Sequence, residues 1–163
     1  MSDSVWASGR IAGLDDFRMA IRLALAEAAS AGVNEMIWCD ADFSDWPLGE
    51  RAVVESLDQW ARGGRKLRLL AGDWGLVQAR DARFVRWRTT WAHLIEARAF
   101  GRARGAELPS LLWTSAGAIE RLDPVRGTGR WLAEPSERLR LRERFEECWR
   151  RSSSGFPAST LGL

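Results

Sequence analysis

The chain has 163 residues, 46% of them apolar and 28% charged, with a formal net charge of +2. That length suits one domain with a buried core, and no run of about 18 apolar residues marks a membrane span. The charge balance is too even to argue nucleic-acid binding from bulk electrostatics, and Met1 to Trp6 lacks a secretory leader, so a cytoplasmic location is expected.

Residues 1–13 read as a loosely ordered lead-in. A helix is predicted from Asp15 to about residue 31, with Leu14, Phe17, Ile21, Ala24 or Leu25, and Ala28 at helical spacing, acidic residues in the first turn and Gly32 as its stop. Glu35 to Asp40 is a short apolar run and reads as a buried strand, followed by the acidic loop Asp42 to Gly49. A second helix is expected over Glu50 to Arg62, with Val53, Val54, Leu57 and Trp60 or Ala61 as its apolar stripe and Gly63-Gly64 ending it. Lys66 to Ala71 is a second strand. One helical region is predicted from Leu76 to about Trp91, and a third strand from His93 to Ala99.

The run Gly101 to Leu108 reads as an exposed Gly- and Arg-rich loop. Strands are expected at 110–114 and 118–122, a turn from Asp123 to Gly129, and a short strand at 130–133. A last helix opens at Pro135 with Leu139, Leu141, Phe145, Cys148 and Trp149 as its buried positions. Ser152 to Gly155 is a flexible link into the tail. Strands alternating with helices predict an α/β fold: a three-layer mixed sheet with helices on both faces. The domain is expected over 14–152, with 153–163 as a C-terminal tail.

Three groups of residues could carry chemistry. Arg83, Arg86 and Arg88, beside Trp87 and Trp91, suit an anion held by guanidinium forks with an indole as a stacking face. The plainer alternative is an amphipathic helix with its indoles in the core and its arginines solvated. His93 is the sole histidine, suited to nucleophilic or acid–base work, or else a half-buried ring bonded to backbone. Asp40, Asp42 and Asp45 could hold a hard cation, but match no calcium-loop spacing and equally suit a loop that bonds its own backbone. Lys66 is the only lysine, so a mechanism needing a catalytic lysine must use it. With two distant cysteines and one histidine, a zinc site is not expected. Cys39 reads as a buried thiol.

The element order, together with Arg130 to Pro135 and the closing helix ending Phe145-Glu146-Glu147-Cys148-Trp149, resembles half of a phospholipase D-like fold. The texts Asp45-Trp46-Pro47-Leu48, Arg83 to His93 and Phe156 to Leu163 are also similar to an uncharacterised proteobacterial family, some members of which carry this domain beside an acetyltransferase domain. In active phospholipase D-like enzymes the resemblance implies His-x-Lys, a later Asp and a Gly-Ser-x-x-Asn-like turn. Here His93 is the only anchor: Ile95 stands at the lysine position, Phe100 near the aspartate, and Thr114-Ser115-Ala116-Gly117 is a remnant of the turn.

A lost phosphate-binding cation removes several kcal/mol of transition-state stabilisation. The chain is therefore expected to be a degenerate, non-catalytic domain that binds a partner protein or a phosphate-bearing ligand. Arg83, Arg86, Arg88 and Arg98 are the expected anion-binding residues, and Trp87 and Trp91 the stacking faces. No metal, cofactor or membrane is implied. Two alternatives stay open: a homodimeric, metal-independent phosphodiesterase or nuclease using His93, and a nucleic-acid-binding module.

Overall fold

The computed structural model describes residues 4–63 and 65–158. One eight-stranded mixed sheet runs through the molecule in the order β1-β7-β6-β5-β2-β3-β4-β8. Its strands are β1 (Arg10–Ala12), β2 (Glu35–Asp40), β3 (Lys66–Ala71), β4 (Ile95–Ala99), β5 (Ser110–Thr114), β6 (Ala118–Asp123), β7 (Thr128–Leu132) and β8 (Ser153–Ser154). The helices are α1 (Leu14–Ala31), α2 (Arg51–Ala61), α3 (Gly75–Arg80), α4 (Ala82–Thr90) and α5 (Pro135–Arg150).

Strands β2, β3 and β4 are parallel, and β5, β6, β7 and β1 add antiparallel to one side. Side chains alternate across a pleated strand, so each central strand feeds two cores. Met36, Trp38, Leu67, Leu69, Ile95 and Leu112 face the larger core under α1, α2 and α4. Ile37, Cys39, Leu70, Leu111 and Trp113 face a smaller core under α5. That two-sided burial is why these strands read as continuous apolar runs.

The three-layer α/β expectation holds, and the strands predicted at 35–40, 66–71, 110–114 and 118–122 lie in one sheet as expected. Gly32 ends α1 in the left-handed region at φ 63°, with its N–H on the Ala28 carbonyl.

Several details differ. The lead-in contains β1, which pairs with β7, and a turn at Val5–Ala7 that buries Trp6 edge-on to Trp131 at 5.8 Å. The helix expected over 76–91 breaks at Asp81, which leaves helical geometry. Its buried carboxylate accepts two bonds from Arg80, and Arg80 also donates to the Ser44 and Phe43 carbonyls. Local charge pairing thus outweighs helix propensity there.

The third strand starts at Ile95, because 92–94 still turn in a tight helical segment. The Arg102–Glu107 loop is a short 3-10 helix that buries Gly105. The link after α5 forms β8, and Phe156 is buried against Trp74 at 4.8 Å. Residues 159–163 of the expected tail lie outside the described residues.

Trp60 is buried as its place on the α2 stripe predicts, and Trp87 is buried as in the amphipathic-helix alternative, whereas Trp91 and Trp149 are half-buried at the edges of their cores. Both cysteines are free and buried in the smaller core. Burial pushes the Cys39 thiol well above its ordinary range and raises that of Cys148. Only the thiolate reacts readily. A disulfide-exchange dye at about pH 8.5, where a free thiol is half ionised, should therefore label native Cys39 far more slowly than unfolded protein. Labelling of both thiols at the unfolded rate would contradict this packing.

Candidate anion-binding groove

α2 and α4 pack side by side on the larger-core face, and a groove of about 720 Å³ lies between them. Residues three and four apart share one helix face. On α4 this aligns Arg83, Arg86, Trp87 and Thr90, with Trp91 just beyond its end; on α2 it aligns Arg51, Glu55 and Asp58, with Arg62 capping its end. The groove thus carries four guanidinium groups against two carboxylates.

The hydrogen bonds fix its shape. Arg83 Nη1 donates to the Gly49 carbonyl at 3.0 Å, tying the start of α4 to the start of α2. Near the far end, the Trp91 indole donates to Asp58 at 2.9 Å, and Arg62 pairs with the same carboxylate at 3.0 Å. The exposed Arg51 and Arg86 side chains make no ion pair among the described residues and point no charge at a protein partner. Trp87 is 4% exposed, and its indole N–H is buried without a partner among the described residues.

The expected anion-binding set therefore splits. Arg83 and Arg86 line the groove with Trp87 and Trp91, but Arg88 and Arg98 do not. Arg88 lies two residues from Arg86, on the opposite helix face. There it is buried, donates to the Phe156 carbonyl through Nε and Nη2 at 3.2 Å, and has its pKa lowered by burial. It straps the chain terminus rather than a ligand. Arg98 belongs to the opposite sheet face, over the Trp149 ring at 5.0 Å and donating to the Ser152 carbonyl. Trp87 floors the groove; Trp91, half-buried, is the one with a face to offer. Arg51 and Arg62 escaped sequence reasoning, because on an isolated α2 they look like an ordinary solvated stripe.

His93 is exposed just before β4, rather than half-buried. It shares a shallow pocket of about 300 Å³ with Arg65, Lys66, Leu94, Ile95 and Glu96, and its ring lies 6.0 Å from that of Trp91. Lys66 reaches this pocket because β3 and β4 are neighbours with Leu67 opposite Ile95. Ile95 itself is buried in the larger core. Thr114 to Gly117 form the β5–β6 hairpin turn, where the Thr114 hydroxyl accepts from the Ala116 and Gly117 N–H groups.

The acidic loop is built as a closed network. Asp40 accepts the Asp42 and Phe43 N–H groups, the Ser110 hydroxyl at 2.6 Å and Arg121 at 2.9 Å. Asp45 takes the other arm of Arg121 at 2.7 Å, and that guanidinium lies 4.5 Å over the Phe17 ring. Among the described residues no group of three His, Cys, Asp or Glu side chains could hold a metal ion. No described helix is long and apolar enough to cross a membrane.

No protein-family model and no curated protein matches this sequence. Solved structures do match. TrmBL2, an archaeal chromatin protein described as showing a novel mode of DNA binding, has a TM-score of 0.65 at 17% identity over 90% of this chain and 53% of that one. Nuc, a phospholipase D family member from Salmonella typhimurium, has a TM-score of 0.50 at 9% identity over 82% of this chain and 90% of that one. At these identities the likeness is one of fold. The chain spans about half the length of TrmBL2.

Proposed function

We propose that this chain is a non-catalytic binding domain whose α2/α4 groove takes a phosphate-bearing anion. The observation that carries this reading is the convergence of Arg51, Arg62, Arg83 and Arg86 on a groove bordered by Trp91. Guanidinium forks match phosphate oxygens in pairs, and Arg51 and Arg86 have no carboxylate partner among the described residues. Glu55 and Asp58 keep the groove from being a uniform positive sink, which favours a ligand of defined shape over a bulk counter-ion. The DNA binding described for TrmBL2 supports nucleic acid among such ligands. The non-catalytic part rests on the sequence, where Ile95 and Phe100 stand at the places of the lysine and aspartate in the phospholipase D-like pattern.

The phosphodiesterase reading has one observation on its side, since Lys66 lies in the same pocket as His93 and supplies a cation that Ile95 cannot. Yet the His93 side chain makes no hydrogen bond among the described residues, and nothing there holds its ring for attack. The expected result is no turnover of a generic phosphodiester by the purified protein. Turnover lost in His93→Ala would replace the binding-domain reading with the enzymatic one.

Binding is tested by titrating tripolyphosphate calorimetrically into the wild type and the Arg51→Ala/Arg86→Ala variant. Both side chains are exposed, so the variant should fold normally. Its affinity should fall roughly tenfold, about 1.4 kcal/mol. Equal affinities would overturn the assignment of the groove.

A further inference from the structure

Resting on that reading, we propose that the α2/α4 groove and the Lys66–His93 pocket form one track for a single nucleic-acid strand. The two basins share no lining residue but adjoin at Trp91, which lines the first, and His93, which lines the second. α2 and α4 run in the same direction, since Arg83 is tied to Gly49 at one end and Trp91 to Asp58 at the other. The groove therefore follows the length of α2, 11 residues, or about 16 Å at the helical rise. Beyond its far end, the chain delivers Arg65 and Lys66 just after Arg62, and His93 two residues after Trp91. The half-buried Trp91 indole stands between the basins, 6.0 Å from the imidazole.

Cations thus occur along the path: Arg51, Arg83 and Arg86, then Arg62, which pairs with Asp58, then Arg65, which also donates to the Gly63 and Gly32 carbonyls, and Lys66. Lys66 is exposed and makes no ion pair among the described residues. A linear polyanion fits this spacing better than a compact one, because a single phosphate would occupy one basin and leave the other unpaired. An indole beside the path favours unpaired bases, whose π-faces are available for stacking. A duplex hides those faces in its own stack. The carboxylates of Glu55, Asp58 and Glu96 lie beside the cations, where they repel phosphates and confine them to the arginines.

The test uses fluorescence anisotropy with labelled oligothymidylates, from a dinucleotide to an octanucleotide. The proteins are the full-length wild type, Lys66→Ala/His93→Ala and Arg51→Ala/Arg86→Ala, each checked for folding by circular dichroism. Wild-type affinity should climb with length and then level off. Lys66→Ala/His93→Ala should bind the dinucleotide as the wild type does, but lose about tenfold on the octanucleotide. Its slope of log affinity against log salt should shrink by about 0.7, the value for one phosphate contact on a single strand. Arg51→Ala/Arg86→Ala should weaken every length. A flat length series, or a Lys66→Ala/His93→Ala variant indistinguishable from wild type, would overturn the track and leave the groove intact. Unchanged binding by Arg51→Ala/Arg86→Ala would instead sink the groove reading itself. Tighter binding of a duplex of the same length, or of polyglutamate, would overturn the single-strand assignment.

Discussion

Arg121→Met is expected to cost about 3–5 kcal/mol of stability, the range for breaking a buried ion pair from one side. The Arg121 and Asp40 side chains are 3% and 2% exposed, and the guanidinium is shared among Asp40, Asp45, Ser110 and the Phe17 ring. Removing it leaves the Asp40 carboxylate in the core with only a hydroxyl and two backbone N–H groups. Buried unpaired charge is the costly element, rather than the lost attraction alone. Asp40→Asn/Arg121→Met should therefore recover part of the loss. Urea unfolding of the three variants measures this, and a loss below about 1 kcal/mol for Arg121→Met, typical of surface changes, would show that the network is wetter than its geometry implies.

The second large effect is expected at Trp38, which is fully buried at the centre of the sheet. Its ring lies 5.8 Å from those of both Trp46 and Phe84. Trp38→Ala should cost about 3–5 kcal/mol, combining lost burial with a cavity that the surrounding indoles cannot fill. The indole N–H of Trp38 has no partner among the described residues. Trp38→Phe, which keeps an aromatic ring and removes that unpaired donor, should cost clearly less than Trp38→Ala. Thermal unfolding of the pair decides the matter: equal losses would contradict the packing account, because a phenyl ring would then recover none of what the methyl side chain of Ala forfeits.

The sequence was most legible where burial is two-sided. β2 and β3 appear as uninterrupted apolar runs because both of their faces meet a helix layer, and their bounds follow from that alone. Elements that depend on distant partners were opaque. β1 has three residues and exists only because β7 offers it a ladder. Residues 153–158 are held by the β4–β8 pairing, by burial of Phe156 against Trp74 and by the Arg88 bonds to its carbonyl, none of which is visible locally. Asp81 breaks what periodicity presents as one helix, since Arg80 must dock on the 43–44 backbone.

The groove was half legible for the same reason. Arg83, Arg86, Trp87 and Trp91 lie within a single helical stretch, so their shared face follows from spacing. Arg88 lies in the same stretch and the same composition, but on the wrong face by about 200° at helical geometry. Arg51 and Arg62 carry no signal on α2 until α4 lies beside it. Nor does Lys66 announce itself as a neighbour of His93 until β3 and β4 pair.

The central claim, that the α2/α4 groove binds phosphate-bearing ligands, is tested most directly by the ten tryptophan indoles. They are spread across both faces of the sheet, and each gives its own N–H correlation in a nitrogen-15 spectrum. On titration with tripolyphosphate, the Trp91 and Trp87 signals should move in proportion to occupancy. Trp113 and Trp149, on the α5 face, should stay fixed, as should Trp6 and Trp131 at the far edge of the sheet. Movement of Trp113 or Trp149 with Trp87 and Trp91 unchanged would contradict the account and place the anion on the opposite side of the molecule.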